Sequence, residues 1–243
     1  MSATVLSLRG ATKRFGGLVA VNNIDFDVQE RQVMGLIGPN GSGKSTTLNL
    51  ISGALKPTSG AITLRGSSIA GLRADTITRK GIARTFQLVR LLPSMSVEDN
   101  IIAGAVFGHR RRWGQRAHDD AQQLIEKVGL GGKAHLAVGQ LTYIDTKRVE
   151  LARALASDPK VLLLDEWLAG LNPTELQVGI ALIQSLRDEG RTIILVEHVM
   201  DAIRSLCDTC VVMSSGTKIA EGTPSAVLSD PEVIRAYLGD DDA

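Results

Sequence analysis

The sequence predicts an α/β fold with a parallel sheet between helices, and three observations predict it. A short apolar strand, Val33 to Ile37, runs into a glycine-rich stretch and then a helical pattern carrying Leu48, Leu50 and Ile51. From Val161 onward, strand-like VLLLD, helix-like PTELQVGIALIQSLRDEG, strand-like TIILVEH and helix-like VMDAIRSLC alternate, the pattern of βαβ units. Apolar residues make up 44% of 243 residues, enough to bury a substantial core.

Taken in order, residues 4 to about 65 are strand-rich. Val5 to Leu8, Val19 to Val28, Val33 to Ile37 and Ala61 to Leu64 are apolar stretches separated by Gly and charged turns. They predict a small antiparallel β subdomain beside the start of the parallel sheet. From about 90 to 156 the character becomes helical, with apolar residues at three- and four-residue spacing over Asp119 to Val128 and Tyr143 to Ala156. This predicts a helical insert, and residues 223 to 243 a C-terminal helical tail, within a single domain spanning 1–243. No internal repeat or low-complexity linker divides the chain. In such a sheet the ligand lies at the carboxyl ends of the strands.

Composition excludes several classes. Lys plus Arg is 27 and Asp plus Glu is 26, a net charge of +1, which argues against DNA or RNA as partner. Apolar runs such as Val161 to Leu164 fall far short of the roughly 18 residues that span a bilayer. The first residues lack the apolar segment of a secretory signal, so a cytoplasmic chain is expected. Cys207 and Cys210 form a C-x-x-C without further zinc ligands nearby and are read as structural. His109 to Arg112 is the dense charge cluster, read as a solvated loop or a partner contact.

The chemistry is concentrated in a few motifs. Gly38-Pro39-Asn40-Gly41-Ser42-Gly43-Lys44-Ser45 satisfies G-x-x-x-x-G-K-[ST] in full, between a strand and a helix. In a P-loop the glycines let backbone N–H groups cradle phosphate oxygens, with the helix N-terminus adding a favourable dipole. Lys44 supplies charge to the β and γ phosphates, Ser45 ligates magnesium, and Thr46 completes the phosphate-binding set. The cofactors expected are ATP and Mg2+. Val161 to Leu164 is an apolar strand ending in Asp165 and Glu166. Asp165 can hold a metal-bound water, and Glu166 is placed to orient or deprotonate the attacking water. An acid at a strand end is a weak signal alone, but it is strong when paired with the P-loop.

With both elements present, the chain resembles the ABC ATPase family over nearly its whole length. Phe15, in TKRFGG, resembles the aromatic that stacks on adenine, although a lone Phe near a strand is more often core. Gln87, in RTFQLVRLLPSMSVEDN, resembles the Q-loop glutamine that links magnesium and attacking water to the helical insert. His198, in TIILVEHVMDA, is similar to the switch histidine that contacts the γ-phosphate. Ala169-Gly170-Leu171-Asn172 looks like the loop that crosses to a partner subunit.

Two departures from the family pattern stand out. The usual Leu-Ser-Gly-Gly-Gln is here Leu141-Thr142-Tyr143-Ile144-Asp145. Thr142 and Asp145 have the spacing of a capping box, so the helix can start without the glycines. Asp145 is expected to place a carboxylate close to a docking γ-phosphate, and Tyr143 and Ile144 to add bulk. Trp167 replaces the proline usual after the glutamate.

Within the family, VLSLRGATKRFGGLVAVNNIDF and KIAEGTPSAVLSDPEVIRAYLG look most like the ATPase subunits of branched-chain and other hydrophobic amino-acid importers. A lipopolysaccharide-export-type ATPase and a weakly hydrolysing regulatory ATPase are the alternatives. The resemblance implies catalysis by Glu166, His198 and Lys44, nucleotide contacts from Phe15, the P-loop and Gln87, and a metal held by Ser45, Gln87 and Asp165. It implies transmembrane permease subunits, a second ATPase subunit in a head-to-tail dimer and, indirectly, a substrate-binding protein. The chain is then peripheral on the cytoplasmic face of the membrane.

Overall fold

The computed structural model describes residues 3–238. β1 (Thr4–Phe15) and β2 (Leu18–Gln29) form an antiparallel hairpin, and β4 (Ser59–Leu64) and β5 (Ser67–Ser68) extend it in the order β2-β1-β4-β5. Along β2 the buried residues Ile24, Phe26 and Val28 recur with period two, so this sheet has one buried face. The antiparallel β region expected near the N-terminus is therefore present, and its strands run longer than their apolar stretches.

The second sheet has the order β10-β9-β3-β8-β7-β6. β3 (Val33–Ile37), β6 (Ile82–Arg84), β7 (Val161–Asp165), β8 (Thr192–Val196) and β9 (Thr209–Ser214) are parallel, and β10 (Thr217–Gly222) closes one edge antiparallel to β9. β3, β7 and β8 are buried at every residue. Both of their faces are covered, which is why they read as continuous apolar runs and not as alternation.

One core cluster lies between the two sheets and α1 (Lys44–Ile51), with Leu6, Ile24, Met34 and Leu48 in it. The opposite face of the parallel sheet packs on α6 (Pro173–Asp188) and α7 (Met200–Leu206) through Leu164, Ile183, Ile203 and Val212. A third cluster joins α3 (Val97–Phe107), α4 (Gln115–Lys127) and α5 (Tyr143–Ala156) through Ile101, Ala121, Ile125 and Val149. These three helices fall in the stretch read as helical. The first turn starts at Val97, where Ser96 and Asp99 form a capping box, and residues 88–96 are irregular.

α2 (Ala74–Lys80) and β6 escaped the sequence reading, as did the two-residue β5 and the β9–β10 hairpin. α2 buries only Ile77 and β6 has three residues, so neither shows a readable period. The chain ends in α8 (Pro224–Leu228) and α9 (Pro231–Leu238), and the expected tail beyond them, residues 239–243, lies outside the described residues. No helix of the described residues is long and apolar enough to cross a membrane. The 109–112 cluster is largely satisfied within the chain: Arg110 pairs with Asp158, Arg112 with Asp120, and His109 Nδ1 lies 2.7 Å from the Arg79 carbonyl. Cys207 and Cys210 are buried free thiols beneath Gly35 of β3.

Candidate active site

The carboxyl ends of β3, β7 and β8 converge, and each is followed by one of the motifs read from the sequence. After β3 the chain turns through Gly38 with φ +145, and a Cβ there would lie 2.0 Å from the Met213 carbonyl oxygen, so only glycine fits. The loop leads into α1, whose N-cap, Gly43, offers no side-chain hydrogen bond. The first-turn N–H groups of α1 therefore remain available to an anion. Ser42 Oγ is buried without a hydrogen-bond partner among the described residues, a second donor that a phosphate oxygen would satisfy.

Lys44 is buried and donates to the carbonyls of Gly38 (2.8 Å) and Pro39 (2.9 Å). Burial holds its ammonium below the usual lysine range, against the opposing pull of Glu166 and Asp165. The cleft above the loop has a volume of about 550 Å³ and is lined by Asn40 to Thr46, Gln87 and Glu166, with Leu18, Val19 and Ala20 on one wall and Ser215 and Gly216 on another. Gly38 and Pro39 lie beneath this lining, and they contribute carbonyls to Lys44.

Glu166 has φ +50, and its N–H donates to the Val196 carbonyl (2.9 Å), which aims the side chain across the end of β8. Its carboxylate accepts from Gln87 Nε2 at 2.6 Å through one oxygen, and His198 Nε2 lies 2.8 Å from the other. Residues 87, 166 and 198, from three separate loops, thus meet at one carboxylate. Asp165 is buried, and its Oδ2 pairs with Arg84 at 2.7 Å. Arg84 also donates to Asn49 Oδ1 of α1 (2.7 Å) and to the Oγ of Ser52 (3.2 Å), the residue that caps that helix. Ser45, Asp165 and Gln87 offer hydroxyl, carboxylate and amide oxygens, the hard donors magnesium takes.

Phe15 stands apart. It ends β1, is 45% exposed, does not line the cleft, and has the Lys13 ammonium 5.0 Å from its ring centroid. Leu18 to Ala20 supply the apolar wall in its neighbourhood.

The altered motif before α5 differs from expectation. Thr142 Oγ1 accepts from the Asp145 N–H (3.3 Å), but the reciprocal half of a capping box is missing. The Asp145 side chain turns inward instead, nearly fully buried, with Lys133 at 2.6 Å and Arg148 at 3.5 Å. The carboxylate expected to face a partner's γ-phosphate is therefore neutralised inside its own chain. Tyr143 is 55% exposed, beside the exposed Thr142, and lies along Gly170. Trp167 is buried, and its Nε1 donates to the Lys147 carbonyl (3.1 Å). Gly179 makes room for it: a Cβ there would approach the Trp167 ring to 3.2 Å and Leu168 to 2.7 Å.

Sequence reasoning missed Arg84, Lys147, Glu150 and Glu197. None carries a motif, and their importance lies in which loops they touch.

The parallel sheet, the phosphate-binding loop after β3 and the paired carboxylates after β7 define a P-loop nucleotide-binding protein. The chain belongs to the ABC transporter family, whose model matches residues 21–169. Residues 217–243 match a second model, described as branched-chain amino acid ATP-binding cassette transporter. Similar proteins include the high-affinity branched-chain amino acid transport ATP-binding protein LivG of Salmonella typhimurium, 41% identical over 99% of this chain and 100% of that one. The corresponding BraF of Pseudomonas aeruginosa is also 41% identical with the same coverage. A Nod factor export ATP-binding protein I of Burkholderia lata is 36% identical over 98% of this chain and 78% of its own. Among solved structures, an ATP-binding cassette of an ABC transporter in its ADP conformation superposes with a TM-score of 0.89 at 30% identity, covering 98% of this chain and 100% of that one. A dimeric cassette in a post-hydrolysis state bound to ADP and Pi gives 0.82 at 25% identity over 90% and 98%.

Proposed function

We propose that this chain is the ATP-hydrolysing subunit of a multi-subunit importer for branched-chain or other hydrophobic amino acids. The observation that carries the hydrolytic part is the Glu166 carboxylate, held between Gln87 and His198 beside the P-loop. Phosphoryl transfer needs little covalent help, so positioning and charge stabilisation dominate. Lys44 and the loop N–H groups from Asn40 to Thr46 bind the phosphates, with Lys44 exchanging its two carbonyl partners for phosphate oxygens. Glu166 orients and deprotonates the attacking water, and His198 and Gln87 fix the direction of its carboxylate. Ser45, Asp165 and the Gln87 carbonyl oxygen would hold Mg2+, which when bound neutralises charge on the phosphates. Phe15 stacks on adenine only if the β1–β2 turn moves toward the cleft.

The amino-acid substrate is supported by the two branched-chain relatives that match along their full length. Export of lipopolysaccharide is not favoured by them. The regulatory, weakly hydrolysing alternative rested on the altered signature Leu141 to Asp145, and of its departures the Asp145 charge is paired internally. The permease docks on the exposed apolar side chains Leu88, Leu92, Met95 and Phe107, of which Leu92 and Phe107 line a groove beside Ala103 and Gly104. Leu91, in the same segment, packs on the helical core instead. A second ATPase subunit pairs head to tail, a substrate-binding protein delivers cargo to the permease, and the chain works on the cytoplasmic face. In cells lacking the chain, uptake of labelled leucine should fall and return with wild-type protein but not with Glu166→Gln. Unchanged uptake in the deletion would contradict the importer reading.

A further inference from the structure

Helix α5 carries three charged residues on one face, Lys147, Glu150 and Arg153, at the three-residue spacing that makes neighbours. Lys147 and Glu150 are almost fully buried, yet they form no ion pair with each other. Lys147 Nζ donates instead to three carbonyls of the loop after β7: Glu166 at 3.3 Å, Trp167 at 2.9 Å and Ala169 at 2.7 Å. All three ammonium protons are thereby used. Glu150 accepts the N–H groups of Phe86 (3.3 Å) and Arg90 (2.9 Å), which flank Gln87. Arg153 donates to the Arg90 carbonyl, and Phe86 lies between the guanidinium groups of Arg84 and Arg90, 5.1 and 4.5 Å from its ring centroid. Glu150 also has the Arg153 guanidinium at 4.0 Å; a buried charge is costly unless polar groups replace its water, and here the backbones of two loops do so.

Those two loops carry the side chains that meet at 2.6 Å, Gln87 and Glu166. We infer that Lys147 and Glu150 are positioning residues for hydrolysis, through which α5 holds the Glu166 loop and the Gln87 loop in fixed register. This rests on Glu166 being the group that acts on water. Neither residue lines the cleft, so their loss should leave binding intact and lower turnover. α5 also begins at Thr142 and Tyr143, so a shift of that exposed end would reach the water-activating carboxylate of the same chain through one rigid helix.

The test compares Lys147→Met, Lys147→Arg, Glu150→Gln and Glu166→Gln in the full-length chain. For each, steady-state ATPase rates, nucleotide affinity, melting temperature and amide exchange over residues 84–92 and 165–170 are measured. Misplacing a catalytic group by an ångström costs on the order of 100-fold in rate. Lys147→Met and Glu150→Gln should therefore lose about 10- to 100-fold in kcat with KM for ATP within about 3-fold. Exchange should accelerate at residues 166–170 in the first and at 86–90 in the second, and Lys147→Arg should recover much of the rate. Glu150→Gln is close to isosteric and keeps the test open if Lys147→Met does not fold. Wild-type kcat in Glu150→Gln and Lys147→Met, with Glu166→Gln inactive, would overturn the positioning role alone. Wild-type turnover in Glu166→Gln would remove the reading on which the role rests, and the role with it.

Discussion

Replacing Glu197 with Gln should change how stability depends on pH. Glu197 follows β8, is 1% exposed, and accepts the Leu168 N–H at 2.6 Å through Oε1, while Oε2 has no hydrogen-bond partner among the described residues. Burial pushes its carboxyl up from 4.5 to about 7; the Leu168 N–H and the Lys147 charge pull the other way, and the Glu166 charge adds to the rise. The unfolded chain titrates near the ordinary value, so between about 4.5 and 7 the folded state holds the extra proton. Stability is therefore highest below that window, falls as pH rises through it, and levels off above about 7. At about 1.4 kcal/mol per pH unit the loss is on the order of 3 kcal/mol. For a domain of this size that is roughly 6–12 °C in Tm. Gln keeps the acceptor for Leu168 and cannot ionise. Urea unfolding of wild type and Glu197→Gln from pH 5 to 8.5 should show the variant gaining about 3 kcal/mol relative to wild type across the range. Parallel stability curves would refute the argument that a buried carboxylate is being forced to ionise.

Trp167→Ala removes a buried ring and its hydrogen bond to Lys147, and should cost about 3–5 kcal/mol in denaturant unfolding; a cost under about 1 kcal/mol would mean the loop closes over the gap. Asp145→Gln breaks the pairs with Lys133 and Arg148, both of which reach solvent, so a loss of about 1–3 kcal/mol is expected with no rise in ATPase rate. A faster enzyme would restore the idea that this carboxylate repels a partner's phosphate. Leu92→Glu should weaken co-purification with permease subunits while melting temperature and ATP affinity stay at wild-type values, because its side chain is exposed beside the groove. Full retention of the permease would place docking elsewhere.

The legible parts of the fold were those with strong local periods. β3, β7 and β8 read as apolar runs because both faces are buried. α2 and β6 were invisible because short elements bury too few residues to show a pattern. The residues gathered around the cleft were legible where a motif fixes backbone geometry, as at Gly38 and Lys44. Asp145 shows the limit of that reading, since its position near a helix start was evident but its direction depended on Lys133, twelve residues earlier on a separate turn. Lys147 and Glu150 stand three residues apart in the sequence and belong to no motif. Only the tertiary structure shows that each spends its charge on a different loop.

The central claim is that Lys44 holds nucleotide in the ground state and Glu166 acts only during the reaction. Single-turnover hydrolysis and ATP affinity measured on Lys44→Ala and Glu166→Gln separate the two roles most directly. Lys44→Ala should lose tight binding, whereas Glu166→Gln should bind ATP with wild-type affinity and fall by at least about 100-fold in the hydrolysis step. A Glu166→Gln chain that hydrolyses bound ATP at the wild-type rate would contradict it.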